Sequence, residues 1–327
     1  DLCGPKIRIS KLNRKKNISI KEGEIYSLGH KRCTIPLNIP LTFSSIVNDG
    51  VVKINDGELS FKIINHKNGK LNVIAENSGE ITSGKGVNFP GVKLKLPSVT
   101  DKDLKDIKLA VNLDIDWLAM SFVRSADDYD AIKKELEFYQ SNISLIAKIE
   151  KPEAINDLKK IIMKFDGILV ARGDLGVEIS LHELPILQKK IVNECLKKQK
   201  PVIIATQMME SMIKNPKPTR AEVNDIANAI YDGADAVMLS GETAFGAYPI
   251  VAVKTMRAIA DAAAQHLQNI LDAEAVSFSE VPQAVEDAIA LICRRFPVTK
   301  IVVVTATGYA ARILSARNPR QPIIATS

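Results

Sequence analysis

The stretch Ser144–Asp174 reads SLIAKIEKPEAINDLKKIIMKFDGILVARGD. It opens on an apolar run of strand length, SLIAKIE. An amphipathic stretch of helix length follows, KPEAINDLKKIIMKF, and then a second apolar run, GILVARGD. Buried parallel strands read as such near-continuous apolar runs, and the intervening stretch has the length of a crossover helix. The unit predicts strand, helix and parallel strand, the repeat of an α/β fold.

The same alternation continues on both sides. DWLAMSFV precedes SADDYDAIKKELEFY, and GILVARGD precedes LPILQKKIVNECLKKQ. PVIIATQ precedes TRAEVNDIANAIYDG, and AVMLSGE precedes YPIVAVKTMRAIADAAAQHL. Strand starts are expected near residues 117, 145, 167, 202 and 236, making five βα units. DLCGPKIR, residues 1–8, is a candidate sixth strand. Between it and the rest, residues 9–97 are rich in short β-like runs and turn signals. Asn48-Asp49-Gly50 and Asn55-Asp56-Gly57 flank VVKI, and HKNG separates ELSFKII from KLNVIAE. Such turns between alternating runs predict antiparallel hairpins. From about Ser279 a further helix–strand–helix–strand segment runs through EVPQAVEDAIALICRRF, KIVVVTATG and GYAARILSARNP to PIIATS.

A chain of 327 residues has room for two or three domains at roughly 150 residues each. Its 46% hydrophobic and 25% charged residues are ordinary for a globular protein. No apolar run reaches the roughly 18 residues of a membrane helix, so no membrane partner is expected. Forty-four basic against 38 acidic residues give +6, which favours small anions and is far from a nucleic-acid tail. Cys3, Cys33, Cys195 and Cys293 form no C-x-x-C pair. They read as reduced, structural cysteines of a cytoplasmic protein. DLCGPKIRIS has no signal-peptide core. The chain opens and closes within strand-like runs, as a piece of a longer polypeptide would.

Reactive residues gather at the C-terminal ends of the strands. Lys148 and Glu150 close one, and Arg172, Gly173 and Asp174 the next. Thr206 with Gln207, and Ser240 with Glu242, follow. That edge of a parallel sheet or barrel is where active sites form. One polar strand end needs no function, since it reaches solvent; four in succession favour a site. Lys148 and Glu150 share a face of their strand, and Glu150 and Asp174 are expected to enter one cleft. Two carboxylates with room for water suit Mg²⁺. Lys148 can face a transferring phosphoryl group, or form a plain ion pair with Glu150. Gly173 and Gly176 let backbone approach an anion, or make a simple strand-to-helix turn. No P-loop or G-x-G-x-x-G is present. The basic run Lys6, Arg8, Lys11, Arg14, Lys15, Lys16 can meet phosphates, although the last four read more readily as a solvated loop. His30, His66, His182 and His266 lack metal-ligand spacing. Met208, Met209, Met212 and Trp117 read as packing residues.

At these residues the chain resembles the pyruvate kinases. The resemblance is carried by DLCGPKIR, KGVNFPG, SFVRS, AKIE, VARGDLGVEI, ATQMMESMI and NPKPTRAEVNDIANAIYDGADAVMLSGETAFGAYP, in that order along most of the chain. It implies a TIM (β/α)₈ barrel interrupted by a β-rich B domain and followed by an α/β C-terminal domain. The barrel would comprise residues 1–8 and 98–270, with its first two strands outside the chain. The B domain, a lid, would be residues 9–97, and a truncated C domain residues 279–327. The implied reaction moves a phosphoryl group from phosphoenolpyruvate to ADP, giving pyruvate and ATP. A chain lacking two barrel strands is expected to be inactive alone, and the full-length protein to be a homotetramer.

By matching position, Lys148 resembles the lysine that steadies the transferring group, and Glu150 and Asp174 the ligands of Mg²⁺ or Mn²⁺. Gly173, Asp174 and Thr206 resemble residues around the substrate's carboxylate and methylene carbon, with Thr206 beside Lys148 as catalytic. Arg8 and Lys85 resemble nucleotide-phosphate contacts. Lys6 stands where K⁺-dependent members carry Glu, and Leu2 where they carry Thr. The resemblance is therefore to the K⁺-independent bacterial branch, with the Lys6 ammonium in place of K⁺. Asn55 replaces the usual first acid of a D-D-G turn, and T-A-T-G-Y-A-A at 305–311 departs from the usual effector loop.

Overall fold

The structure is a computed structural model that describes residues 1–12, 17–30, 32–40, 50–67, 69–92, 94, 96–271, 281–317 and 319–326. Arg14, Lys15 and Lys16 of the basic run, the Asn48-Asp49 turn and Ser279 lie outside these residues. The chain folds as two compact units, Asp1–Gln188 and Lys189–Ser327.

The first unit begins with antiparallel β structure. Strands β1 (Asn17–Ile20) and β7 (Gly79–Thr82) pair with each other. A six-stranded sheet runs in the order β3-β2-β6-β5-β4-β8. Its strands are β2 (Ile25–Gly29), β3 (Ile35–Pro36), β4 (Val51–Ile54), β5 (Leu59–Lys67), β6 (Lys70–Ala75) and β8 (Val87–Asn88). Strand β6 alternates strictly between partly and fully buried residues, so one face makes the core. Phe61 is completely buried there and meets Tyr26 edge to face, 6.3 Å between centroids. Truncating such a phenylalanine to alanine costs about 3–5 kcal/mol. Asn55, Asp56 and Gly57 close the β4–β5 hairpin with three consecutive positive φ angles, 58°, 52° and 91°. Asn and Asp tolerate the left-handed region and Gly adopts it freely, so the N-D-G signal is physically explained.

The βα part of this unit follows. Helix α1 (Asp101–Asn112) starts at a capping box between Thr100 and Asp103. Then come β9 (Trp117–Met120), α2 (Asp128–Phe138), β10 (Ser144–Ile149), α3 (Pro152–Asn156), α4 (Leu158–Lys164), β11 (Gly167–Ala171) and α5 (Arg172–Glu178). Strands β9, β10 and β11 are parallel, with Leu145 opposite Leu118 and Lys148 opposite Leu169. All five residues of β11 are buried, as its unbroken apolar run requires. Helix α6 (Leu184–Lys197) runs across the boundary of the units.

The second unit holds parallel strands β12 (Val202–Ala205) and β13 (Ala236–Met238). A 3₁₀ turn at Glu210–Ile213 and helix α7 (Arg220–Tyr231) lie between them. Helices α8 (Gly241–Ala244) and α9 (Pro249–Leu271) follow. The last segment comprises α10 (Val281–Arg295), β14 (Ile301–Val304), α11 (Tyr309–Ala316) and β15 (Ile323–Thr326). Strands β14 and β15 are parallel over a small core of Cys293, Ile301, Val303 and Leu314.

All five expected strand starts are present to within a residue or so. Three expectations change. Residues 1–8 form no strand; the segment meets β9 through one bridge, Leu2 to Met120, because Gly4 turns the chain away at φ +63°. Trp117 is 47% exposed, since it opens β9 at the rim rather than lying within its buried run. The single helix expected over 151–165 is broken at Asp157, whose carboxylate turns to accept from the Ala126 amide at 2.8 Å. All four cysteines are free thiols, and burial pushes Cys195 up to about 12, as for an inert structural thiol. Met208, Met209 and Met212 are buried packing residues. Among the described residues no helix is long and apolar enough to cross a membrane.

Candidate active site

The last residues of β10 place Lys148 and the residue just beyond it, Glu150, on one face, two positions apart. Their side chains meet: Lys148 Nζ lies 3.0 Å from Glu150 Oε1. The same ammonium donates to Ser121 Oγ at 3.0 Å and to Asp1 Oδ2 at 3.2 Å. Glu150 is only 1% exposed, and its second oxygen accepts from the Phe122 amide at 2.8 Å. Burial pushes its pKa up; the charge of Lys148 opposes the rise, and that of Asp174 adds to it.

Asp174 differs from its expected setting. It lies in the first turn of α5, directly after β11, together with Gly173. The βα turn brings it near enough for its charge to act on Glu150. Its partner is Lys6, with Nζ 2.9 Å from Oδ1. Lys6 comes from the N-terminal segment and stands over the Phe122 ring, 5.4 Å from its centroid. Each of the two carboxylates is thus paired with an ammonium, Glu150 with Lys148 and Asp174 with Lys6.

The donor set fits a divalent cation. Glu150 and Asp174 offer hard oxygens, and burial and the nearby Asp174 charge push the pKa of Glu150 up, against the opposing charge of Lys148. Among the described residues no group of three or more His, Cys, Asp or Glu is placed to hold a metal. A metal here would therefore draw further ligands from substrate and water, as Mg²⁺ commonly does.

Arg8 and Lys85 come together at the root of the insert. Ile9 N–H donates to the Lys85 carbonyl at 2.8 Å, and Arg8 Nη1 to the Gly84 carbonyl at 2.9 Å. The Lys85 side chain is exposed.

Thr206 belongs to the second unit. It follows β12 with φ +69°, and Gln207 has φ +54°. A β-branched residue at positive φ is uncommon and costs about 1–3 kcal/mol. Its hydroxyl donates to the Ala205 carbonyl at 2.6 Å. Nearby, buried Glu242 accepts from the amides of Met209 at 3.1 Å and Ser240 at 2.8 Å, which ties the loops after β12 and β13 together. Glu242 is thus a structural clamp.

Sequence reasoning missed Ser121, Asp1 and Phe122. Ser121 and Phe122 lie within SFVRS, directly after a strand, and that position was the available signal. Asp1 is held by long-range proximity alone.

A parallel βα array with a lysine-paired carboxylate pair at its strand ends, interrupted by an antiparallel β insert, fits a partial (β/α) barrel. A model of the pyruvate kinase barrel domain matches residues 1–253. The chain belongs to the pyruvate kinase family. It is 41% identical to pyruvate kinase 2 of Synechocystis sp. over all of this chain and 56% of that protein. It is 44% identical to the Staphylococcus saprophyticus pyruvate kinase over 89% of this chain and 52% of that one. A crystal structure of a pyruvate kinase from Cryptosporidium parvum is similar with a TM-score of 0.86 at 34% identity, over 99% of this chain and 70% of that one. The chain spans about half the length of the curated relatives it matches.

Proposed function

We propose that the complete protein transfers the phosphoryl group of phosphoenolpyruvate to ADP, giving ATP and pyruvate. The observation that carries this reading is the Lys148 ammonium, fixed by Glu150, Ser121 and Asp1 at the end of β10. Phosphoryl transfer needs positioning and charge neutralisation more than a covalent nucleophile. An ammonium held by three oxygens is preorganised for that task.

Lys148 steadies the moving group. Gly173, Asp174 and Thr206 bind the substrate's carboxylate side, and Thr206 serves the methylene carbon that takes up a proton. Its unusual backbone supports a functional role. Arg8 and Lys85 meet the nucleotide phosphates. Glu150 and Asp174 would hold Mg²⁺ or Mn²⁺. When bound, that cation would neutralise charge on the phosphate oxygens. Lys6, already on Asp174, supplies a fixed positive charge, so K⁺ is not required. Residues 9–97 act as a lid that excludes water; residues 1–8 and 98–270 form the barrel and 279–327 a C domain. We assign the whole protein to the cytoplasm, as a homotetramer.

A coupled assay of pyruvate formation from phosphoenolpyruvate, ADP and Mg²⁺ tests the reading on the complete gene product. Asp174→Asn should abolish most metal-dependent turnover while the protein stays folded. Unchanged turnover and unchanged Mg²⁺ dependence would remove the site assignment.

A further inference from the structure

We propose that Glu178 is a positioning residue that fastens the β insert to the barrel, with Asn88 and Lys151 as its two partners. The proposal rests on the phosphoryl-transfer reading, because closure of the insert is what it serves. Glu178 closes helix α5, four residues after Asp174, and is 8% exposed. Asn88 on β8 of the insert is as deeply buried, and its Nδ2 donates to Glu178 Oε1 at 2.7 Å. The same oxygen receives the Lys151 ammonium. Lys151 follows Glu150 directly and stands over the Phe122 ring at 5.9 Å. Phe122 in turn gives its amide to Glu150. One buried carboxylate therefore joins the insert to the segment that carries Lys148 and Glu150.

A second bond lands beside it. Lys53 on β4 donates to the Val177 carbonyl at 2.9 Å. Two strands of the insert thus reach two consecutive residues of the helix that bears Asp174. Asn88, Lys151, Phe122, Phe89, Ile7 and Leu96 line a cavity of about 50 Å³ at this junction. Beside this cavity, directional and charge-assisted bonds help to fix the position. They also suit a lid, since water can replace each of them when the insert lifts.

The test uses the complete protein with Asn88→Ala, Asn88→Asp and Glu178→Gln. Hydrogen exchange reads attachment directly, whatever the reaction catalysed. In Asn88→Ala the amides of 51–54 and 87–88 should exchange about tenfold faster, with those of 144–149 unchanged. Asn88→Asp, which sets two carboxylates together, should loosen them at least as much. Glu178→Gln keeps an acceptor for Asn88 and should retain most of the protection. In steady state the KM for ADP should rise about fivefold in Asn88→Ala, with the KM for phosphoenolpyruvate within twofold. Unchanged exchange in both Asn88 variants of an active protein would overturn the latch. Faster exchange in the Asn88 variants than in wild type, with neither forming pyruvate, would keep the latch and remove the phosphotransferase reading.

Discussion

The amide nitrogen of Phe122 lies 2.8 Å from Oε2 of Glu150, and Phe122 holds it there at φ +58°. The left-handed turn after β9 aims the amide at the carboxylate just past the end of the neighbouring strand. Glu150 is buried, so each of its oxygens needs a donor. Lys148 supplies the other one at 3.0 Å. The carboxylate is thereby fixed in place while burial still holds its pKa above the ordinary range.

Lys148→Met keeps the length of the side chain and removes its charge. If the ammonium acts on the transition state, kcat of the complete protein should fall by about 10²–10³. The KM for phosphoenolpyruvate should move far less. Parallel steady-state titrations of substrate decide this. A raised KM with unchanged kcat would show that Lys148 binds the ground state only.

Gly4→Ala should destabilise the fold and slow the reaction together. Gly4 sits at φ +63°, and a Cβ there would lie 2.9 Å from the Ser121 carbonyl oxygen. Ser121 is also a partner of Lys148, so the displacement reaches the site. Gly23 has φ +78°, and a methyl group added there would meet nothing within 4 Å, so Gly23→Ala carries backbone strain without the clash. Thermal melts should place Gly4→Ala about 1–3 kcal/mol below wild type and below Gly23→Ala. Equal losses in the two variants would show that the clash relaxes away.

The legible parts of the fold were those set by local pattern. Alternating apolar runs located β9 to β13, and N-D-G located the β4–β5 hairpin. Lys148 and Glu150 were legible as a pair because strand alternation puts them on one face. The path of residues 1–8 was not legible, because a glycine turn set by the approach of Ser121 decides it. Ser121, Asp1 and the Asn88–Glu178 bond depend on contacts between distant parts of the chain, which no local period encodes. Thr206 carried a different signal: its resemblance was visible, but its positive φ exists only in the folded backbone.

Glu222 gives a pH-dependent prediction. Burial raises its pKa, but bonds from the Ser211 amide and hydroxyl and from Thr219 outweigh this, and the net shift is downward. Glu222 also closes the capping box of α7 with Thr219. A depressed folded pKa means that the group stabilises the protein above its unfolded pKa. That contribution is lost as pH falls through the folded value. Glu222→Gln keeps a capping-box acceptor but removes the charge, and should cost up to about 1 kcal/mol near neutral pH. It should also flatten the fall of Tm on acidification. A variant whose Tm parallels wild type from pH 7 to pH 3 would remove Glu222 from that account.

Lys6 makes the monovalent-ion prediction. Its ammonium lies 2.9 Å from Asp174 and 5.4 Å from the Phe122 ring, with both charged side chains only about one-fifth exposed. A tethered ammonium brings positive charge to this place without a separate binding equilibrium. The complete protein should therefore turn over in buffer free of Na⁺ and K⁺. Lys6→Glu removes that charge and sets a second carboxylate beside Asp174. Like charges at this spacing repel, and a bound monovalent cation relieves the repulsion. The variant should be nearly inactive without K⁺ and should recover rate as KCl is added. The measurement is initial rate against KCl at constant ionic strength, because added salt otherwise screens exposed charges by itself. A wild-type rate that climbs from near zero with K⁺ would show that Lys6 does not replace the ion. A Lys6→Glu variant indifferent to K⁺ would show that the position does not govern cation demand.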